Sequence, residues 1–469
     1  MHNTANTISL RAPLILLLFS ISFVSFRLAI PYQPQYGESL TILAACICAL
    51  FVMLLDNLLD PRPRPVHLLF CIYMIFYYLL PGYFHTVYGR FPFFEAGFAP
   101  DKVLNAAIVV AIFIICATAG LSINFPSRGG APRVTIPANL QNAALFCAAA
   151  AVVAGAMYGF GSLLTVRGED VFADTLPSPT RLIIGAIARS GSFYAFLFAI
   201  FAFLSQKSAP VLVMAIVTGS VFLLFNSPLA IPRYVLASYL IAAFCVFLKV
   251  TRIQKLALAL ALVASQATLF SYISYISRGD PSTTFRFDPF EYYVTSGDFD
   301  GLQSTINVVA MHDEKGGKEG INLLSAVLFF LPRSFWPQKS MGTGPEAGIY
   351  AGYPFVNLSS PLPSEFYVDF GLPGVVVLSF LFGLFVRLCD DYLLHFKKTS
   401  DPVGQVLVGT VAGYIFIILR GSLVATLGPI ALSLFIASVC HRFTTRPSSA
   451  SSPARTLSRD DAGRITSRK

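Results

Sequence analysis

The sequence is poor in charge. Only 12% of its 469 residues are Asp, Glu, Lys or Arg, about half of what a soluble globular domain carries. Hydrophobic residues make up 55%, and a single Trp stands against 43 Phe and 20 Tyr. Long apolar segments account for such a composition, and one oversized water-soluble core does not. The formal charge of +9 therefore records membrane topology, and nucleic acid is not an expected partner.

Other absences narrow the chemistry. Eight cysteines are present, but each lies in or beside an apolar run and none has disulfide-framework or zinc spacing. Cys46 and Cys48 would point about 200° apart around a helix. Of the six histidines, only His85 and His312 fall on the external side of the expected topology, so no metal centre is expected. No Gly-rich phosphate loop ending in Lys-Ser or Lys-Thr is present, which excludes an ATP-driven motor of that type.

A spanning helix needs about 20 apolar residues. Twelve runs qualify or nearly do, near 8–27, 39–58, 67–84, 103–124, 141–161, 182–205, 210–226, 234–250, 256–277, 372–394, 402–420 and 423–441. The fold class expected is an all-α integral membrane protein of twelve transmembrane helices with one large external loop carrying short helices. Nine spans fill 1–277, the loop is 278–371, three spans fill 372–441, and 442–469 is a basic, disordered cytoplasmic tail. The first run is followed by Arg27 and Pro31-Tyr32-Gln33-Pro34 with no small-residue cleavage site, and is expected to be retained. Eighteen Lys and Arg fall on one set of alternate loops and tails and six on the other short loops, so both termini are expected on the cytoplasmic side.

The loop inverts the charge, with eleven acids against six bases, and a loop this long is usually functional. Within it, 301–311 is expected to be a short helix. The apolar stretch 321–331, stopped by Pro332, is expected to be an interfacial half-helix anchored by Phe335 and Trp336.

Arginine on the external side is the informative anomaly. Arg189 lies about two turns into the sixth run, Arg233 opens the eighth, Arg278 closes the ninth, Arg420 closes the eleventh, and Arg167 precedes the sixth. Single arginines at helix ends often snorkel to headgroups, yet five against the topology rule point to an anionic ligand, which guanidinium binds bidentately. In the loop, Arg278, Arg286, Asp288 and Glu291 interleave with aromatic residues, a mixture suited to carbohydrate and also to a solvated loop. Asp298-Phe299-Asp300 has the D-x-D form of metal-dependent glycosyltransferases, but nucleotide sugars are cytoplasmic and this loop is expected outside. Glu365 and Asp369 are four apart and share a helix face beside the bilayer. They are candidates for a general base.

Several strings together resemble the Wzy-type oligosaccharide repeat-unit polymerases. They are Asn226-Ser227-Pro228 with Arg233, Ser277-Arg278-Gly279-Asp280, the 332–339 segment Pro-Arg-Ser-Phe-Trp-Pro-Gln-Lys, Ser364 to Gly374, and Arg420-Gly421-Ser422. The resemblance covers the architecture of the chain, and in specific strings about 226–425. It implies a GT-C-like bacterial inner-membrane glycosyltransferase, inverting and without a metal or other cofactor. Such an enzyme moves a growing glycan from polyprenyl pyrophosphate to a new lipid-linked repeat unit on the periplasmic side. It further implies a polyprenyl-pyrophosphate-linked oligosaccharide as ligand, membrane lipid as surroundings, and a chain-length regulator and a flippase as partners. In this frame Arg278, Arg333 and Arg420, then Arg233 and Arg189, would neutralise the leaving pyrophosphate. Arg286, Asp288 and Asp369 would bind substrate, and Glu365, before Asp288 or Asp369, would take the acceptor proton. An O-antigen ligase, which relies on a loop histidine, and a flippase, which has little use for so large a loop, are the alternatives.

Overall fold

The computed structural model describes residues 19–21, 23–24, 33–93, 97–124, 140–164, 179–228, 230–269, 272 and 288–444, and every regular element among them is helical. In chain order these are α1 (Gly37–Leu59), α2 (Pro65–Tyr88), α3 (Pro100–Leu121), α4 (Leu140–Tyr158), α5 (Pro179–Gln206), α6 (Ala209–Phe225), α7 (Arg233–Phe247) and α8 (Arg252–Ala267). The loop helices α9 (Pro289–Thr295), α10 (Gly301–Lys315), α11 (Ile321–Val327) and α12 (Thr343–Tyr350) follow, then α13 (Leu362–Thr399), α14 (Pro402–Arg420) and α15 (Leu423–Thr444).

Local chemistry sets these boundaries. Proline opens α2, α3, α9 and α14, where its missing N–H has no helical partner to lose. The Asp401 carboxylate accepts the Val403 and Gly404 N–H groups, each at 3.1 Å, and Thr251 with Gln254 forms a capping box on α8.

Seven helices, those of α1 to α5, α13 and α14, are long and apolar enough to cross a membrane, while α6, α7 and the Leu423–Val439 part of α15 are apolar but shorter. The expectation of twelve full-length spans is thus met only in this coarser form. The first expected run lies outside the described residues apart from five positions, and the ninth is represented by α8, a 16-residue helix. Among the seven, α14 and α2 are the most enclosed, at 89% and 83% buried, against 39% for α13. Apolar side chains left outward, such as Val377 and Leu381 on α13, suit a hydrocarbon solvent.

Two close features shape the frame. The Leu362–Thr399 helix breaks at Gly371, whose φ of 61° and ψ of −154° are open to glycine and strained for other residues. Helices α7 and α14 touch backbone to backbone: a Cβ on Gly413 would lie 2.2 Å from the Ser238 carbonyl oxygen.

The described part of the loop, from 288 on, packs around a helix of its own. Every residue from Gly301 to Met311 on α10 is buried, so this helix forms the loop's own core. Helix α11 stops at Val327, well short of the expected 331, and leaves Leu324, Val327, Phe330 and Phe335 exposed.

Candidate functional site

A cavity of about 800 Å³ opens where α5, α7 and α14 converge with the loop. Arg181, Arg189, Arg233 and Arg420 all line it, and Asp298 is the only carboxylate that does so among the described residues. Three of the five arginines singled out from the sequence are therefore brought together, from positions up to 231 residues apart. Arg167 and Arg278, like Arg286, lie outside the described residues.

Arg233 begins α7 and is 7% exposed. Its Nη2 donates to Asp298 at 3.0 Å from Oδ1 and 2.9 Å from Oδ2, and its Nη1 donates to the Tyr292 hydroxyl at 3.0 Å. The Tyr292 hydroxyl donates in turn to Asp298 Oδ2. Burial, and then the Asp298 charge beside it, push the Tyr292 hydroxyl above its ordinary pKa and keep it a donor.

Arg420 ends α14. Its Nη2 donates to the Gly297 carbonyl at 3.2 Å and lies 3.5 Å from Asp300 Oδ1, while its guanidinium stacks over the Tyr234 ring at 4.7 Å. Asp300 Oδ2 accepts the Ser359 N–H at 3.0 Å. The D-x-D pair is thus divided, Asp298 to Arg233 and Asp300 to Arg420. Among the described residues no three metal-ligating side chains of the His, Cys, Asp and Glu types converge.

Arg189 differs from both. No described carboxylate is within ion-pair distance of it, and its Nε is buried without a hydrogen-bond partner. Its backbone is nonetheless fixed, because buried Asn226 at the end of α6 donates to the Arg189 carbonyl at 3.4 Å and to Ser192 Oγ at 3.2 Å. The next residue, Ser190, shares a 2.7 Å hydrogen bond with Ser433 that ties α5 to α15. Arg181 sits over the Tyr158 ring at 5.3 Å. Among the described residues four guanidiniums and one carboxylate, Asp298, line the cavity, with Asp300 paired to Arg420.

The remaining expected site residues are placed elsewhere. Glu365 does not line the cavity: it is 3% exposed, and its Oε1 accepts the Leu423 N–H at 3.3 Å, at the start of α15. Asp369 accepts the Asn322 and Leu323 N–H groups at 3.1 and 2.7 Å, and so caps α11. Asp288 caps α9 through the Glu291 N–H at 3.0 Å. Arg333 gives its Nη1 and Nη2 to the Lys339 and Ser340 carbonyls. These four carry structural hydrogen bonds, because each faces backbone groups that a helix end or a turn leaves unpaired.

Arg333 and Lys339 do border a second, mainly apolar pocket of about 340 Å³. Leu182, Ala186, Ala425 and Pro429 line both spaces, so the apolar pocket adjoins the cationic cavity. Sequence reasoning missed Arg181, whose signal was available: α5 starts at Pro179, which puts Arg181 in the same helix as Arg189, about two turns away. It also missed Asp298 and Asp300 as partners of the arginines. The chain matches no protein-family model, no curated protein and no solved structure.

Proposed function

We propose that the protein is a membrane glycosyltransferase that polymerises lipid-linked oligosaccharide repeat units, as the resemblance to the Wzy-type polymerases implies. In this reading twelve helices span a bacterial inner membrane in a GT-C-like arrangement, both termini are cytoplasmic, and the cavity faces the periplasm. The observation that carries it is the cavity lined by four guanidiniums, among them Arg189, whose buried Nε has no partner among the described residues. A pyrophosphate diester is a dianion, which guanidinium forks bind bidentately. The adjoining apolar pocket supports the reading by offering room for the first part of a polyprenyl chain.

In the reaction the acceptor hydroxyl attacks the anomeric carbon of the donor glycan, the bond from that carbon to the pyrophosphate oxygen breaks, and configuration inverts. The leaving group gains one negative charge, and guanidiniums already in place stabilise it without reorganisation. Arg189, its Nε without a partner among the described residues, meets it first, while Arg233 and Arg420 are held by Asp298 and Asp300. In this reading Asp298, the one described carboxylate that lines the cavity, takes the acceptor proton.

The test is the length distribution of surface and lipid-linked polysaccharide in cells lacking the gene, with and without complementation. Single repeat units in place of a ladder are expected. Full-length polymer retained on the lipid carrier would instead define a ligase, and units held on the cytoplasmic side a flippase. An unchanged profile removes the glycan reading.

A further inference from the structure

Two aromatic rings at the cavity, with a third behind them, take no part in the anion site. Phe93 and Phe355 line the cavity and meet edge-on with centroids 4.9 Å apart, and Tyr353 stacks on Phe355 at 5.7 Å with 21° between planes. Phe355 is 37% exposed, whereas core rings such as Phe299 and Phe416 are at most 1% exposed.

The rings are held in a built arrangement. The Phe93 N–H donates to Gln303 Oε1 at 3.1 Å, and the side-chain amides of Gln303 and Asn307 donate to the Tyr353 hydroxyl at 2.8 and 3.0 Å. Both amides project from buried α10, so one helix fixes two separate loop segments. Gly297 brings this shelf to the anion site. A Cβ there would lie 2.4 Å from Phe93 Cζ, and its carbonyl accepts from Arg420. Two residues beyond Phe355, Asn357 is exposed, lines the cavity, and makes no side-chain hydrogen bond with a described residue.

We propose that Phe93, Tyr353 and Phe355, with Asn357, form a subsite for a pyranose ring, the sugar next to the group held by the arginines. The negative face of an aromatic ring attracts the polarised C–H face of a sugar, and a free amide gives a hydroxyl both a donor and an acceptor. A lipid chain would have no use for that amide, and the apolar pocket lies on another wall, beyond Leu182 and Ala425. The assignment rests on the glycan reading above but not on which transfer the protein performs.

The experiment uses the full chain in detergent and two probes. One is inorganic pyrophosphate, followed by phosphorus-31 line broadening. The other is the neutral oligosaccharide released by mild acid from the cells' own surface polysaccharide, followed by saturation transfer from protein to sugar protons. Phe355→Ala is expected to weaken the oligosaccharide about tenfold and to leave the pyrophosphate signal unchanged, while Phe355→Trp, which keeps a ring, retains both. Oligosaccharide binding that survives Phe355→Ala undiminished overturns the subsite. So does wild-type protein that binds pyrophosphate and no oligosaccharide, with the anion site left standing. Binding of neither probe overturns the anion reading as well.

Discussion

At the end of the bundle where α1 meets α2 and α13 meets α14, buried cations are matched by the protein itself. Lys255 is fully buried, and its ammonium donates to the carbonyls of Asn57, Asp60 and Arg62. Arg64 lies 3.7 Å from Asp60, and Arg387 pairs with Asp391 at 3.1 Å. At the other end of α14 the cavity holds Arg189, whose Nε is buried without a partner among the described residues, beside the paired Arg233 and Arg420. Both ends concentrate positive charge. Among the described residues only the cavity leaves a guanidinium nitrogen buried without a partner, and such a donor costs free energy that a ligand can return. Matching, more than the presence of arginine, separates a structural cation from a binding one.

The contrast breaks first at Arg189. Arg189→Ala is expected to cut polymer formation by about 100-fold or more, the loss typical of removing one preorganised charge stabiliser, with the unfolding midpoint in detergent unchanged. Arg189→Lys should recover part of it, since ammonium lacks the planar fork. Polymerisation at the wild-type rate in Arg189→Ala would dissolve the distinction. Lys255→Met should show the reverse pattern, a stability loss of about 1–3 kcal/mol from carbonyls left without a donor, and unaltered pyrophosphate binding per folded molecule. Asp369→Ala removes a helix cap and should cost about 1 kcal/mol, read as a small drop in the same midpoint with activity retained. The smallest effect is expected from Glu365→Gln, which keeps an acceptor for the Leu423 N–H. A loss of about 100-fold or more there, the mark of a missing general base, would restore Glu365 to the chemistry.

What the sequence made legible follows from the kind of signal each feature leaves. Helices show in apolar run length and in the prolines that open them, and the break at Gly371 coincides with the expected end of the loop. Arg189, Arg233 and Arg420 stood out because charge at the external end violates a topology rule, which needs no knowledge of packing. The roles of Asp288, Asp369 and Glu365 were not legible. A carboxylate that caps a helix and one that moves a proton are the same letter, and for Asp369 and Glu365 the capped N–H groups lie 46 to 58 residues away in sequence. Asp298 and Asp300 showed only the D-x-D form for the same reason, since the arginines that divide them begin and end helices elsewhere in the chain.

The contact between Gly413 and the Ser238 carbonyl has a mechanical consequence. Arg233 opens α7 and Arg420 closes α14, and these helices run antiparallel with their main chains in contact, so no side chain can act as a cushion between them. The two guanidiniums ride on a jaw whose gauge is set by backbone. The opposite wall, α5 with Arg181 and Arg189, is tied to α15 by side chains instead, through the Ser190 to Ser433 hydrogen bond. The separation of Arg233 and Arg420 is therefore set by main chain, whatever the cavity holds.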